Sequence, residues 1–190
     1  MHRHLSPLLL SLLLLPSCQW GGAGKPPPPP DTNRMAEGMA PTPYSAEQIR
    51  GFCDDGRQYR FLIENRGQPK QYQITRFGKG DEEHAAMETR ATDTTGKALG
   101  EPQQAQPPWA ALQAHASFPE KDCEIITNLI QGPATSHVCW VYRIRGELDG
   151  QPTETVLCFA KNMPGPPILM EKWVGKEVVS RMKLLETTSR

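Results

Sequence analysis

The sequence predicts an α+β fold: one curved, mainly antiparallel sheet of about seven or eight strands, with one or two short helices packed on it. Three observations carry that expectation. Apolar and polar residues alternate in short runs, the period of a strand buried on one face. Short turns rich in Gly, Asp and Asn join the runs, and such turns suit antiparallel neighbours. Only two stretches, 46–53 and 109–115, have helical spacing instead.

The domain opens at Tyr44. Ser45 and Gln48, three apart, fit a capping box for a helix over 46–53, which Asp54-Asp55-Gly56 ends. Tyr59, Phe61 and Ile63 alternate with Arg60, Leu62 and Glu64, a half-buried strand. Asn65-Arg66-Gly67-Gln68 turns into a second strand, Gln71–Phe77, with Tyr72 and Ile74 on one face. Residues 82–94 form a weaker strand whose apolar positions are mostly Ala85, Met87 and Ala91. Residues 95–108, rich in Gly, Gln and Pro, are expected to loop. Pro107-Pro108 then starts a helix with Trp109, Leu112 and Ala116 on one face, closed by Phe118-Pro119. The second half is denser in β-formers. Strands are expected at 123–130, 137–145, 153–161, 168–174 and 177–185, with Asp149-Gly150 and Gly175-Lys176 as hairpin turns. Residues 44–190 thus make one ordinary domain.

What precedes the domain has a different composition. Residues 5–15 are a leucine-rich block about 16 Å long as a helix, short of the roughly 20 residues that span a bilayer. With His2-Arg3-His4 ahead of it, the block has the layout of a secretory signal. Leu15-Pro16-Ser17-Cys18 resembles the lipobox of bacterial lipoproteins, with Pro16 where a small residue is commoner. The resemblance covers residues 1 to about 20. It implies that the signal peptide 1–17 is removed and that the Cys18 thiol takes a diacylglyceryl group. Two or three acyl chains would then hold the protein at a membrane, as stable anchoring requires. Gln19 stands where such lipoproteins often carry the aspartate that retains them in the inner membrane. By resemblance, the expected place is the outer membrane, facing the periplasm. Residues 18–43 are expected to be the lipid anchor and a disordered tether rich in Pro and Gly, stiffened by polyproline II at Pro26–Pro30.

Four cysteines remain: Cys53, Cys123, Cys139 and Cys158. An even count in an exported chain reads as disulfides, and four allow three connectivities. A loop over Glu147–Gly150 sets Cys139 opposite Cys158, Arg143 opposite Glu154 and Trp140 opposite Leu157, and so pairs Cys139 with Cys158 and Cys53 with Cys123. A two-residue turn at Asp149-Gly150 sets Cys139 opposite Ala160 instead. Side-chain pairing favours the first register and turn chemistry the second; the expectation leans to the first.

Charge excludes one class of function. With 21 Lys and Arg against 21 Asp and Glu, interspersed along the chain, no basic footprint for nucleic acid exists. His137 and Cys139 share a strand face, but no CxxC, HxxxH or HExxH spacing accompanies them, so no metal or other cofactor is expected. His115 has Ser117 near it in sequence, but no GxSxG elbow. Asp54-Asp55 and Asp81-Glu82-Glu83 read as acidic turns, and Gly78-Lys79-Gly80 lacks the spacing of a phosphate loop. No catalytic residue is expected. The expected function is a non-catalytic envelope lipoprotein that binds an apolar ligand or a partner protein. In outline only, a curved sheet over helices resembles the half-barrel of outer-membrane lipoprotein carriers. Its cavity would be lined by Phe61, Tyr72, Trp140, Phe159 and Trp173. An assembly factor working by surface contacts, with a filled core, is the alternative; an envelope hydrolase is the third. The stiff loop Met163-Pro164-Gly165-Pro166-Pro167 is either a pocket rim or a tight crossover.

Overall fold

The computed structural model describes residues 29–53, 56–132 and 135–189. The expected signal peptide, Cys18, the start of the tether, and Asp54-Asp55 lie outside the described residues. No helix among those described is long and apolar enough to cross a membrane.

Helix α1 (Ala46–Cys53) forms where the capping box places it. The Ser45 N–H donates to Gln48 Oε1 at 2.8 Å, and the Gln48 N–H donates to Ser45 Oγ at 3.2 Å. Strands β1 (Gln58–Asn65), β2 (Gln71–Gly78), β3 (Ala86–Asp93) and β4 (Gln103–Ala105) follow, then α2 (Trp109–Ala114). Five longer strands complete the chain: β5 (Cys123–Gln131), β6 (Ser136–Leu148), β7 (Gln151–Ala160), β8 (Leu169–Val174) and β9 (Glu177–Thr188). All nine lie in one antiparallel sheet, in the order β4-β3-β2-β1-β9-β8-β7-β6-β5. Two meanders are therefore joined at a central seam. β1–β4 step outward to one edge, β5–β9 step inward from the other, and β9 pairs with β1, setting Leu184 opposite Phe61.

The α+β class holds, with one strand more than expected. The addition is β4, three exposed residues, Gln-Gln-Ala, paired with Met87–Thr89. It carries no apolar alternation; backbone pairing and one side-chain bond, from Gln104 Nε2 to Glu88 Oε2 at 2.8 Å, mark it.

Composition reads 18–43 as a tether, but residues 29–43 are packed on the domain. Polar anchors explain why. Thr42 is fully buried, its Oγ1 3.0 Å from the carbonyls of Asn33 and Tyr44. Gln113 of α2 holds this strap from beneath. Its Nε2 donates to Thr42 Oγ1 at 3.0 Å and to the Asn33 carbonyl at 3.3 Å, and its Oε1 accepts from the Ala46 N–H at 2.9 Å. The Tyr142 hydroxyl donates to the Pro41 carbonyl at 2.7 Å. A disorder argument from missing aliphatic side chains does not count such bonds. Gln113→Ala is expected to lower stability by about 1–3 kcal/mol, because it leaves polar groups buried without partners. Urea midpoints of the variant and the parent measure this.

The β6–β7 hairpin settles its register. Asp149 and Gly150 both have positive φ, 50° and 75°, and Leu148 faces Gln151. This is the primed two-residue turn that Asp-Gly favours. Cys139 therefore faces Ala160, and Cys158 faces Val141. The expected direct facing of Cys139 and Cys158 is wrong. The charge pairing that suggested it is met otherwise: Arg145 faces Glu154, and Arg143 reaches Glu154 diagonally at 3.7 Å. All four cysteines are free thiols. Cys53 packs on Tyr59 of β1, 3.3 Å from its hydroxyl, whereas Cys123 begins β5. Five strand spacings, about 24 Å along the sheet, separate those strands, and the Cys53–Cys123 pairing has no support in this arrangement.

An apolar cavity under the sheet

Strand parity places one face of the sheet against the helices. From β1 comes Phe61, and from β2 come Gln73, Thr75 and Phe77. Met87 of β3, Met182 of β9, Met170 of β8, and Leu157 and Phe159 of β7 point the same way. Above them lie Ile49 of α1, Leu112 of α2 and the Gly165-Pro166-Pro167 stretch. Together these residues enclose a cavity of about 360 Å³ with an almost wholly apolar lining. Six consecutive strands, spanning about 24 Å, touch this one small space, so the sheet curves around it. Three of the lining side chains are methionines, whose unbranched thioethers adapt to irregular apolar shapes.

Few polar groups remain available inside. Gln113 is engaged at both ends of its amide. Thr75 Oγ1 lies 3.3 Å from Thr89 Oγ1. Gln73, half-buried, and His115, exposed at the C-terminal end of α2, are the lining residues whose polar ends make no side-chain hydrogen bond among the described residues.

The proline loop, which joins β7 to β8, borders the cavity with Gly165, Pro166 and Pro167. Gly165 has φ +145°, and a Cβ there would sit 2.8 Å from Tyr59 Oη and 3.1 Å from Cys53 Sγ. Only glycine allows the backbone this close. Gly165→Ala is expected to cost about 2–4 kcal/mol through strain and overpacking. Adding Tyr59→Phe, which removes the blocking hydroxyl, restores part of that loss; chemical denaturation of the single and double variants gives the coupling.

The candidate lining residues divide. Phe61 and Phe159 line the cavity. Trp140 shares their face but lies beyond it, edge-on to Tyr44 at 5.9 Å, with Lys161 Nζ 4.9 Å from its ring centre. Tyr72 and Trp173 are on the opposite face. Tyr72 is one step from Gln73 and carries the Arg60 guanidinium over its ring at 4.2 Å; Trp173 faces Glu154. Aromatic size suggested them, but the period of two decides which face a side chain takes. The methionines were not anticipated, although Met87 lies opposite Phe77, and Met170 opposite both Leu157 and Met182.

Other candidates stay apart from the cavity. Asp81 caps a turn, its Oδ1 accepting the N–H groups of Glu83 and His84 at 2.8 and 2.6 Å. No group of three His, Cys, Asp or Glu suited to a metal occurs among the described residues. Burial pushes the thiols of Cys53 and Cys139 up to about 11 and that of Cys158 to about 12, from 9.0. Such thiols stay protonated and are poor nucleophiles.

Raised thiols have a stability consequence. The unfolded chain loses these protons near pH 9 and the folded chain only above 11. The stabilisation is therefore whole below pH 9 and is lost as pH rises towards 11–12. Burial raises the hydroxyls of Tyr44, Tyr59 and Tyr142 as well, with the same sign. The expected result is a urea midpoint that falls steadily from pH 9 to pH 11. A fall that begins only near pH 10, where the tyrosines of the unfolded chain titrate, would mean that the thiols are already oxidised or exposed.

No family model matches the chain, and no curated protein does. Among solved structures, the chain is similar to a Bacteroides fragilis protein described as exported and as having a YmcC-like fold. The TM-score is 0.44 at 12% identity, covering 71% of this chain and 96% of that one. Overlap at that level says nothing of what either protein does.

Proposed function

We propose that this protein is a lipid-anchored lipoprotein of the bacterial envelope, without catalytic activity, that binds an apolar ligand under its sheet. The cavity carries the second half of this reading. It is apolar, of a size that suits small ligands, and roofed by a rim that glycine and proline make stiff. The leader supports the first half: a short leucine block ending in Leu15-Pro16-Ser17-Cys18.

Each half has its own test. Expressed with its leader in a Gram-negative host, the mature protein is expected to begin at an acylated Cys18, seen as added mass on the N-terminal peptide. An unmodified N-terminus elsewhere would refute the anchor. For the ligand, a fluorescent apolar probe is expected to bind the parent protein. Leu157→Arg, which places a charge in the lining, is expected to weaken that binding at least tenfold. Equal binding by both would remove the cavity from the function.

A second reading has one observation behind it. Among the described residues, β5 is a nine-residue edge strand paired on one side only, and Leu129 and its β6 partner Val138 are 63% and 50% exposed. An assembly factor working by surface contacts would use such a place.

A further inference from the structure

We propose that the cavity takes one unbranched acyl chain of about ten to fourteen carbons, with its polar head held outside at Gln73 and His115. This rests on the ligand-binding reading above and narrows it to a class of amphiphile. Volume sets the chain number. A 150 Å³ apolar cavity holds the six carbons of benzene, about 25 Å³ each, so about 360 Å³ holds about fourteen. The two tails of a membrane diacyl lipid do not fit. The rim resists widening, because Gly165 is already wedged against Tyr59 and Cys53 and two prolines follow it.

Polarity sets the orientation. Past the half-buried Gln73, both Thr75 and Gln113 are already hydrogen-bonded, so the deeper part of the cavity has nothing left for a carboxylate or phosphate. Burying such a group unpaired is heavily unfavourable. Gln73 and His115 have free polar ends, and a head group meets them there. Met87, Met170 and Met182, from three separate strands, let the lining follow a bent chain.

The test uses the mature chain from residue 18 with Cys18→Ser, so that no attached acyl group competes. Calorimetric titration covers saturated carboxylates of eight to eighteen carbons, a lysophospholipid with a dodecanoyl chain, and vesicles of a diacyl phosphatidylethanolamine. Affinity is expected to rise about fourfold per methylene, the equivalent of about 0.8 kcal/mol, and to level off between about ten and fourteen carbons. Binding of the carboxylates alone would identify a free fatty acid. Binding of the lysophospholipid as well would identify the chain of a larger lipid; both support the proposal. Met182→Trp, which narrows the space, is expected to move the plateau to shorter chains. Met170→Phe is the second variant should Met182→Trp not fold. Affinity still rising at eighteen carbons, or diacyl lipid taken up as tightly as a single chain, would overturn the proposal. Binding of an aromatic apolar probe without any acyl ligand would do so too, while leaving the cavity reading intact. No binding of any apolar probe would sink both.

Discussion

Tyr142→Ala is expected to lower stability by about 3–5 kcal/mol, the range for truncating a buried aromatic residue. Tyr142 is fully buried on β6. Its ring meets Phe159 edge-on at 5.4 Å and Phe118 at 6.4 Å. Its hydroxyl also donates to the Pro41 carbonyl, tying the strap to the sheet. Two contributions are thus combined, and Tyr142→Phe separates them. That variant keeps the ring contacts and strands one buried carbonyl, an expected loss of about 1–3 kcal/mol. Thermal unfolding reads both. With about 2–4 °C lost per kcal/mol in a domain of this size, the alanine variant melts roughly 6–20 °C lower. If the phenylalanine variant falls as far as the alanine one, the strap, not the aromatic cluster, carries the stability of this region.

Leu184→Asp is expected to prevent folding at neutral pH. Leu184 is 2% exposed at the seam, opposite Phe61, and its N–H donates to the Ile168 carbonyl at 2.8 Å. Leu184 belongs to the apolar core cluster, and removing a charge from water there costs several kcal/mol. Losing the leucine packing as well exceeds much of the 5–15 kcal/mol that holds a typical domain together. Leu148→Asp is the control. Leu148 is 47% exposed at the β6–β7 turn, and its substitution is expected to change stability by no more than about 0.5 kcal/mol. Circular dichroism and soluble yield distinguish the two. A folded Leu184→Asp protein would mean that the seam is open to water.

The sequence was legible where side chains announce the backbone. Ser45 and Gln48 spell the cap of α1, Tyr59, Phe61 and Ile63 mark β1, and Asp149-Gly150 names its own turn. It was illegible where the backbone acts alone or where polar bonds replace apolar burial. β4 is Gln-Gln-Ala, held by pairing to β3. The strap from Pro29 to Pro43 is held by Gln113, Thr42 and Tyr142. The cavity was half legible. Phe61 and Phe159 follow from size and parity together, whereas Tyr72 and Trp173 follow from size without parity. The β6–β7 register shows two signals in conflict, and the local turn prevailed over the cross-strand charges.

The central seam also orders events in time. Residues 61 and 184 become neighbours only after both meanders exist. Closing a loop that long costs about 4 kcal/mol of chain entropy before any contact rewards it. Proteins dominated by such distant pairings fold slowly. Until the two meanders dock, β1 and β9 each keep one edge open. A chain whose meanders form before they dock exposes two unpaired strand edges that can recruit other chains. That exposure ends when β9 docks on β1.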